Sequence, residues 1–327
     1  MDLHRVDADD HASLAAWVEV HNAAEALDAP WQAPLTVHRA EGDARYGWDG
    51  EPETPFLGCV DGEPVAAGWV SVSDYDNLDA AWLGVRVRPD LRRRGLGSAV
   101  LTALERHVRD LGRGVVGTFG WAGSPAEAFV SGHGFEARAR EAQRRQVLAE
   151  VEWADIEALH AEAGMHAGDY ELVRWTGRAP EDELPALAAL TASINDAPTD
   201  DLTWEDEVFP TERIAAYERV QQARGDLLHR LVARHRVTGE LAGHTVVAVD
   251  GERPAFADQH DTAVAPAHRG HRLGLLLKTG MNLWLRETQP QLERIDTWNA
   301  ESNRHMLAVN DVMGYRVVGR AVLYQRP

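Results

Sequence analysis

Two hydrophobic rhythms take turns along this chain: short runs in which apolar and polar residues alternate, and longer ones in which apolar residues recur three or four positions apart. Residues 3 to 7 predict a short first strand. Ser13 to Ala26, with Leu14, Trp17, Val18 and His21 along one face, predicts a helix. Gly58-Cys59-Val60, the Asp61-Gly62 turn and the β-branched run Pro64 to Val72 predict a hairpin. A strand over Asp79 to Val87, an amphipathic helix through Leu101 to Leu111, a strand over Arg113 to Phe119 and a helix over Ser124 to His133, closed by Gly134-Phe135, follow. From Tyr170 the plan restarts: strand Tyr170 to Trp175, helix Glu181 to Ile194, a charged helical stretch Thr211 to Arg224, and a hairpin through Val237-Thr238-Gly239. Between the two series, Leu148 to Asp169 has Trp153, Ile156 and Leu159 at helical spacing. It is too apolar for a free linker and is expected to pack on one of the domains.

One stretch in each series stands out. Val264-Ala265-Pro266-Ala267-His268-Arg269-Gly270-His271-Arg272-Leu273-Gly274-Leu275-Leu276-Leu277-Lys278 reads as strand, turn and helix, with a basic cluster at the helix start. Such a turn gathers backbone N–H groups at the positive end of a helix and predicts a phosphate or pyrophosphate site. Val87-Arg88-Pro89-Asp90-Leu91-Arg92-Arg93-Arg94-Gly95-Leu96-Gly97-Ser98-Ala99-Val100-Leu101 is a second copy. Val87 and Val264 are 177 residues apart, as are Gly62 and Gly239, so hairpin and turn keep one register; Gly134 and Gly314 are 180 apart. A fixed offset of this kind marks a duplicated α/β unit. Neither turn has the three-glycine spacing of a Rossmann dinucleotide site followed by an acidic residue.

With 327 residues, 44% hydrophobic and 26% charged, the chain has the size and composition of two ordinary globular domains. The formal net charge of −19 argues against nucleic acid or an anionic membrane as partner and for a small anionic cofactor held by local arginines. The single cysteine, Cys59, allows no internal disulfide and reads as a small buried apolar residue. No apolar run approaches membrane-spanning length and the first residues do not read as a signal peptide, so a cytoplasmic location is expected. Lys278, the only lysine, reads as a compositional habit, with arginine carrying the rest of the positive charge. His268 and His271 have no third ligand in sequence, so no metal is expected.

The repeated hairpin, basic glycine turn, strand and Gly-aromatic closure resemble the GNAT superfamily of N-acetyltransferases in a tandem arrangement, like mycothiol synthase and other two-domain actinobacterial acetyltransferases. The resemblance implies an α/β fold of the α+β type: two GNAT-like domains, each a mostly antiparallel sheet flanked by helices. Their expected extents are 1–150 and 170–327, with 151–169 as connector. It also implies acetyl-coenzyme A as co-substrate, its pyrophosphate bound by an Arg/Gln-x-x-Gly-x-Gly/Ala turn. The first copy matches at Arg92, Gly95 and Gly97. The second matches at Arg269 and Gly274 and places Arg272 at the middle glycine. The implied cofactor residues are thus Val87, Arg92, Arg93, Arg94, Gly95, Leu96, Gly97 and Ser98, and Val264, Arg269, Gly270, His271, Arg272, Leu273, Gly274 and Leu275. Asn303 and Asn310 match the family's asparagines facing the pantetheine arm.

Acetyl transfer to an amine needs an unprotonated nucleophile, a polarised thioester carbonyl and a proton for the leaving thiolate. In the family's register Asp258 falls on the proton-accepting carboxylate of the second domain, and Ala81 falls there in the first. Asp261 competes, because a bulge in the strand exchanges the faces of its side chains, and His260 is a third candidate. Either carboxylate also fits a structural role, Asp258 in a turn at the strand's start and Asp261 bonded to backbone. Many relatives place a tyrosine acid where Asn310 stands; Val130 is its equivalent in the first domain, which leaves water, Tyr315 or Tyr324 as donors, or a reaction that needs no discrete acid. The expected activity is acetyl transfer to a primary amine of a small molecule, mainly in the C-terminal domain. The alternatives are a catalytically silent acyl-coenzyme A binding or regulatory protein and a protein or peptide acetyltransferase. Monomer and homodimer both remain open.

Overall fold

The computed structural model describes residues 1–326; Pro327 lies outside the described residues. The chain divides into two compact units that are not consecutive in sequence. The first comprises Met1–Glu141, Thr199–Asp206 and the chain from Gly319 onward; the second comprises Ala142–Pro198 and Glu207–Val318.

The first unit runs β1 (Asp2–Arg5), α1 (His11–Asp28), α2 (Val37–Tyr46), β2 (Thr54–Val60), β3 (Glu63–Ser71), β4 (Ala80–Val87), α3 (Leu96–Asp110), β5 (Val115–Trp121), α4 (Ala126–Gly132) and the start of β6 (Glu136–Val147). Strands β1 to β4 form an antiparallel meander, and β5 lies parallel to β4. Beside β5, antiparallel to it, lies the end of β12 (Arg316–Arg326), paired from Ala321 onward. Period-two alternation places Ala66 with Val100, Leu101 and Leu104 of α3 on one face, and Ala67 with Leu14, Trp17 and Val18 of α1 on the other. Each fully buried leucine here contributes roughly 1.5–3 kcal/mol. Helix α2 was not legible in the sequence because it is mostly polar and contains Gly42. It is held by Thr36, whose hydroxyl accepts from the Arg39 N–H at 3.1 Å, and by buried Ala40.

The second unit repeats this order from the last residues of β6: α5 (Trp153–Met165), β7 (Tyr170–Thr176), α6 (Leu184–Thr191), α7 (Thr211–Ala223), β8 (Leu227–His235), β9 (Leu241–Val249), β10 (Phe256–Val264), α8 (Leu273–Thr288), β11 (Arg294–Ala300) and α9 (Arg304–Val312). Its sheet order is β7-β8-β9-β10-β11-β6. The apolar connector residues form α5, which buries Ile156 and Ala163 in the same core as Leu276, Leu277 and Met281 of α8. The helix expected over Glu181 to Ile194 is shorter. A 3-10 turn over Glu181–Glu183 precedes α6, another over Ala192–Asp196 follows it, and Pro185 sits in the first turn of α6, where its missing N–H is harmless. Asn195 then exchanges two hydrogen bonds with the backbone of Glu207, at 2.9 and 3.0 Å, instead of continuing the helix. No helix among the described residues is long and apolar enough to cross a membrane.

Candidate active site and cofactor cleft

The parallel strand pair in each unit opens into a fork. In the first unit β4 and β5 pair only at Ala80–Trp82 with Val115–Gly117, although β4 continues to Val87 and β5 to Trp121. In the second, β10 and β11 pair only at Phe256–Gln259 with Arg294–Thr297 before diverging. A fork leaves backbone N–H and C=O groups of both strands without ladder partners, so a polar chain inserted there finds hydrogen bonds ready-made.

Each fork leads to one of the basic turns. In the first, the Ala99 N–H makes the opening helical bond to the Gly95 carbonyl at 3.1 Å. The amides of Leu96, Gly97 and Ser98 ahead of it have no intrahelical acceptor, the arrangement that binds phosphate. In the second, the Leu276 N–H bonds to the Arg272 carbonyl at 3.0 Å and leaves the amides of Leu273, Gly274 and Leu275 in the same situation. Both turns require left-handed backbone at two places. The first supplies Arg93 (φ 65°) and Gly95 (φ 81°), the second Gly270 (φ 86°) and Arg272 (φ 55°). Arg272 therefore keeps the backbone path that a glycine gives its counterpart, at a cost of about 1–2 kcal/mol that Arg93 already bears in the first copy.

The arginines that open the two motifs have a different role from the phosphate contact expected of them. Arg92 holds both carboxylate oxygens of Asp28 at 2.8 and 2.6 Å, and its Nε donates to the Val87 carbonyl at 3.2 Å. Arg269 repeats this with Asp196 and with the Val264 carbonyl at 3.2 Å. Both tie strand end, turn and preceding helix together. Arg93 and Arg94 are exposed beside the first turn. In the second, Arg272 pairs with Glu162 of α5, and His271 lies 5.5 Å from Tyr170, ring to ring. Tyr170 also meets His268, its hydroxyl 3.1 Å from Nδ1. Among the described residues no group of three or more His, Cys, Asp or Glu side chains is placed to hold a metal ion.

A cavity of about 450 Å³ occupies the first unit's fork, within the size range of ligand pockets. Val85, Val87, Leu96, Leu101, Phe129 and Val130 give it an apolar lining, while Arg92, Arg93, Gly95, Gly97 and Ser98 bring the turn to its wall. A Cβ at Gly97 would lie 3.2 Å from the Phe129 ring, which would have to shift by a few tenths of an ångström to admit it. Arg86, Phe119 and Trp121 also line it. Arg86 is bound to Glu25 at 2.5 Å, and the second Glu25 oxygen accepts from Trp121 Nε1 at 2.9 Å, so this carboxylate is fully engaged. Burial and the Arg86 charge push the adjacent His21 down to about 4 and keep it neutral. Ala81, at the position expected for a base, is buried.

The second unit differs at the same place. Between Gln259 and Thr262 strand β10 holds one residue more than β9 opposite it, a β-bulge at His260 and Asp261. Gln259 fills the notch, donating to the Val246 carbonyl at 2.6 Å and to Thr245 Oγ1 at 3.0 Å. His260 Nδ1 lies 2.6 Å from the Tyr217 hydroxyl of α7. Asp261 is partly buried, and burial raises its pKa although the Arg230 charge opposes the shift. Arg230 is itself held by Glu218 at 3.2 Å and by His244 Nδ1 at 2.9 Å; burial, then Arg230, keep His244 neutral. Asp258 pairs in register with Ala248 and Asp296 inside the strand and is exposed. Asn303 caps α9, its side chain accepting from the Met306 N–H at 3.2 Å. Asn310 is fully buried and donates to Asn299 Oδ1 at 2.7 Å. Tyr315 is buried in the second unit's core, whereas Tyr324 packs in the core of the first.

Sequence reasoning missed the Asp28 and Asp196 locks, which follow no local pattern, and Lys278. That lysine is 1% exposed inside the second unit.

Comparisons with known proteins agree with this geometry. The sequence matches the model of the acetyltransferase (GNAT) family over residues 20–135. No curated protein matches it. Among solved structures, it is similar to a tandem GNAT protein from the clavulanic acid biosynthesis pathway, with TM-score 0.82 and 23% identity over 99% of this chain and 98% of that one. It is also similar to a GCN5-related N-acetyltransferase from Sphaerobacter thermophilus, with TM-score 0.69 and 16% identity over 99% and 95%. A glucosamine N-acetyltransferase region of a fungal multi-domain β-N-acetylglucosaminidase gives TM-score 0.68 and 16% identity over 99% of this chain and 38% of that one. The forked strands, the glycine turn and these likenesses converge: residues 20–135 match the acetyltransferase (GNAT) family, and the whole chain has the fold of a tandem GNAT protein.

Proposed function

We propose that this protein transfers an acetyl group from acetyl-coenzyme A to a primary amine of a small molecule. In this reading the second unit binds the reacting thioester at its own turn and performs the chemistry, and the first unit holds a carrier of its own. The observation that carries the cofactor assignment is the 450 Å³ cavity ending on three helix-start amides. The pyrophosphate would lie on Leu96, Gly97 and Ser98 beside Arg93 and Arg94, with the pantetheine arm in the fork against Val85, Val87 and Phe129. In the second unit the corresponding amides are those of Leu273, Gly274 and Leu275.

The division of labour rests on the contrast at the bulge. Asp261, its pKa raised by burial, is suited to take a proton from an acceptor ammonium near neutral pH, whereas the first unit offers Ala81 and a Glu25 already bound to Arg86 and Trp121. Asp258, exposed one pleat away, is the alternative base. The acidic surface favours approach of a cationic amine. The fold is compatible with a small acceptor, since the fungal relative is named for glucosamine.

Free-thiol release with acetyl-coenzyme A across a panel of small amines tests the reading, with Asp261→Asn and Asp258→Asn measured separately. Amine-dependent release that disappears in one variant supports it. A second reading, a silent acyl-coenzyme A binding protein, is favoured by one observation: Val130 and Asn310 stand where an acid is expected on α4 and α9. Calorimetric binding of acetyl-coenzyme A without turnover on any amine would decide for it.

A further inference from the structure

The duplication allows the two clefts to be compared wall by wall. Leu101, Val130 and Phe135 line the cavity of the first unit. The register of the repeat places Lys278, Asn310 and Tyr315 at these three positions in the second. An apolar wall has become polar at all three. Two of the new polar atoms, Asn310 Oδ1 and the Tyr315 hydroxyl, are buried without any hydrogen-bond partner. Lys278 is 1% exposed, makes no ion pair among the described residues, and places its Nζ 4.9 Å from the centre of the Tyr315 ring. A buried ammonium without a counter-ion is costly, so burial brings its proton within easy reach of an acceptor.

Polar and charged groups elsewhere in the second unit have partners of their own, and burial alone acts on Lys278. On α5, His160 contacts Thr279 and Glu162 holds Arg272. On β6 and β11, Arg145 holds Asp296, and Arg144 pairs with Asp311 of α9. On α8, Asn282 donates to Gln146. None of them neutralises Lys278.

We propose that Lys278 is the acid of the second unit: its ammonium meets the thiolate that leaves acetyl-coenzyme A, stabilises the charge as it forms and hands the sulfur a proton. This rests on the reading that the second unit performs acetyl transfer. The acceptor nitrogen forms the amide bond as the carbon–sulfur bond breaks; the electron pair of that bond goes to sulfur. The Lys278 N–H then becomes the thiol S–H, and the neutral amine recovers its proton from solvent. The interaction exists only once the thiolate appears, so it acts on the transition state and not on binding. Burial pushes the Lys278 ammonium down to about 7, close to the range of a thiol, whereas burial raises Tyr315 above an ordinary phenol and makes it the poorer donor. The α9 position that would carry an acid needs none if α8 supplies it across the cleft.

The experiment is steady-state kinetics and thermal unfolding of the full-length protein and of Lys278→Met and Asp261→Asn. For Lys278→Met we expect kcat to fall about 100-fold or more with KM for acetyl-coenzyme A unchanged, loss of the alkaline limb of the kcat profile, and a higher melting temperature because a buried charge is gone. A fall in rate with rising stability separates chemistry from misfolding. Lys278→Met turning over like the parent, while Asp261→Asn is inactive, would overturn the acid assignment and leave the transfer reaction standing. A raised KM with unchanged kcat overturns it too, assigning Lys278 to cofactor binding. No turnover by the parent on any amine removes the underlying reading instead.

Discussion

The two turns solve one backbone problem with the same parts in opposite order. The first places arginine and then glycine at its left-handed positions, the second glycine and then arginine, and each ties its motif arginine to an aspartate and to the last carbonyl of its strand. What differs is the wall behind them. Leu101, Val130 and Phe135 give the first unit an apolar cleft wall, whereas the corresponding positions of the second unit are the buried polar residues Lys278, Asn310 and Tyr315. Duplication preserved the anion-binding backbone, which is set by local geometry, and let the side chains that determine chemistry diverge.

The sharpest way to break this comparison is at the bulge. Asp261→Asn is expected to lower amine-dependent thiol release by about 100-fold or more, while acetyl-coenzyme A binding to the first unit stays intact by calorimetry. Unchanged release would move the chemistry out of the second unit.

Next is the pH dependence of stability. The folded pKa of Lys278, about 7, lies below its unfolded value near 10.5, so the unfolded chain binds the extra proton between these limits. Stability from this group is lowest below about pH 7 and rises as pH climbs toward 10.5, by on the order of 5 kcal/mol. Urea unfolding of the parent and Lys278→Met at about pH 6.5 and 9.5 checks the sign: the variant should be the more stable at the lower pH and lose most of its advantage at the higher. His21 has the same consequence in the first unit, in a more acidic window. Its pKa is lowered from 6.5 to about 4, so the stabilisation it gives when neutral is lost as pH falls through that window, and His21→Gln should flatten the acid limb.

Smaller effects sharpen the comparison of the turns. Gly95→Val puts a β-branched residue at φ 81° and is expected to weaken acetyl-coenzyme A binding to the first unit about tenfold in titration calorimetry. Smallest is Arg272→Gly, which removes the left-handed strain and the exposed pair with Glu162 together. A net gain of up to about 1 kcal/mol in chemical denaturation is expected. A net loss would mean that Arg272 is held for its side chain.

Much of this was legible because it is local. Apolar spacing gave the strands and most helices, and the two copies of Val-x-Pro, arginines and Leu-Gly gave the turns, since left-handed backbone and helix-start amides depend on a few consecutive residues. The bulge at His260 and Asp261 was foreseen as an alternative, and the pairing of β10 with β9 shows it. Asp28 with Arg92 and Glu25 with Arg86 stand 64 and 61 residues apart, and no pattern in the chain couples them.

By itself, then, the sequence determined a duplicated unit with two basic, glycine-bearing helix starts. The tertiary structure decided which strand completes each sheet, which arginines are engaged by carboxylates, and that the only lysine is buried without a counter-charge. The physical reason is range: dihedral preference and hydrophobic periodicity act over a few residues, whereas burial, desolvation and ion pairing depend on neighbours that only folding supplies.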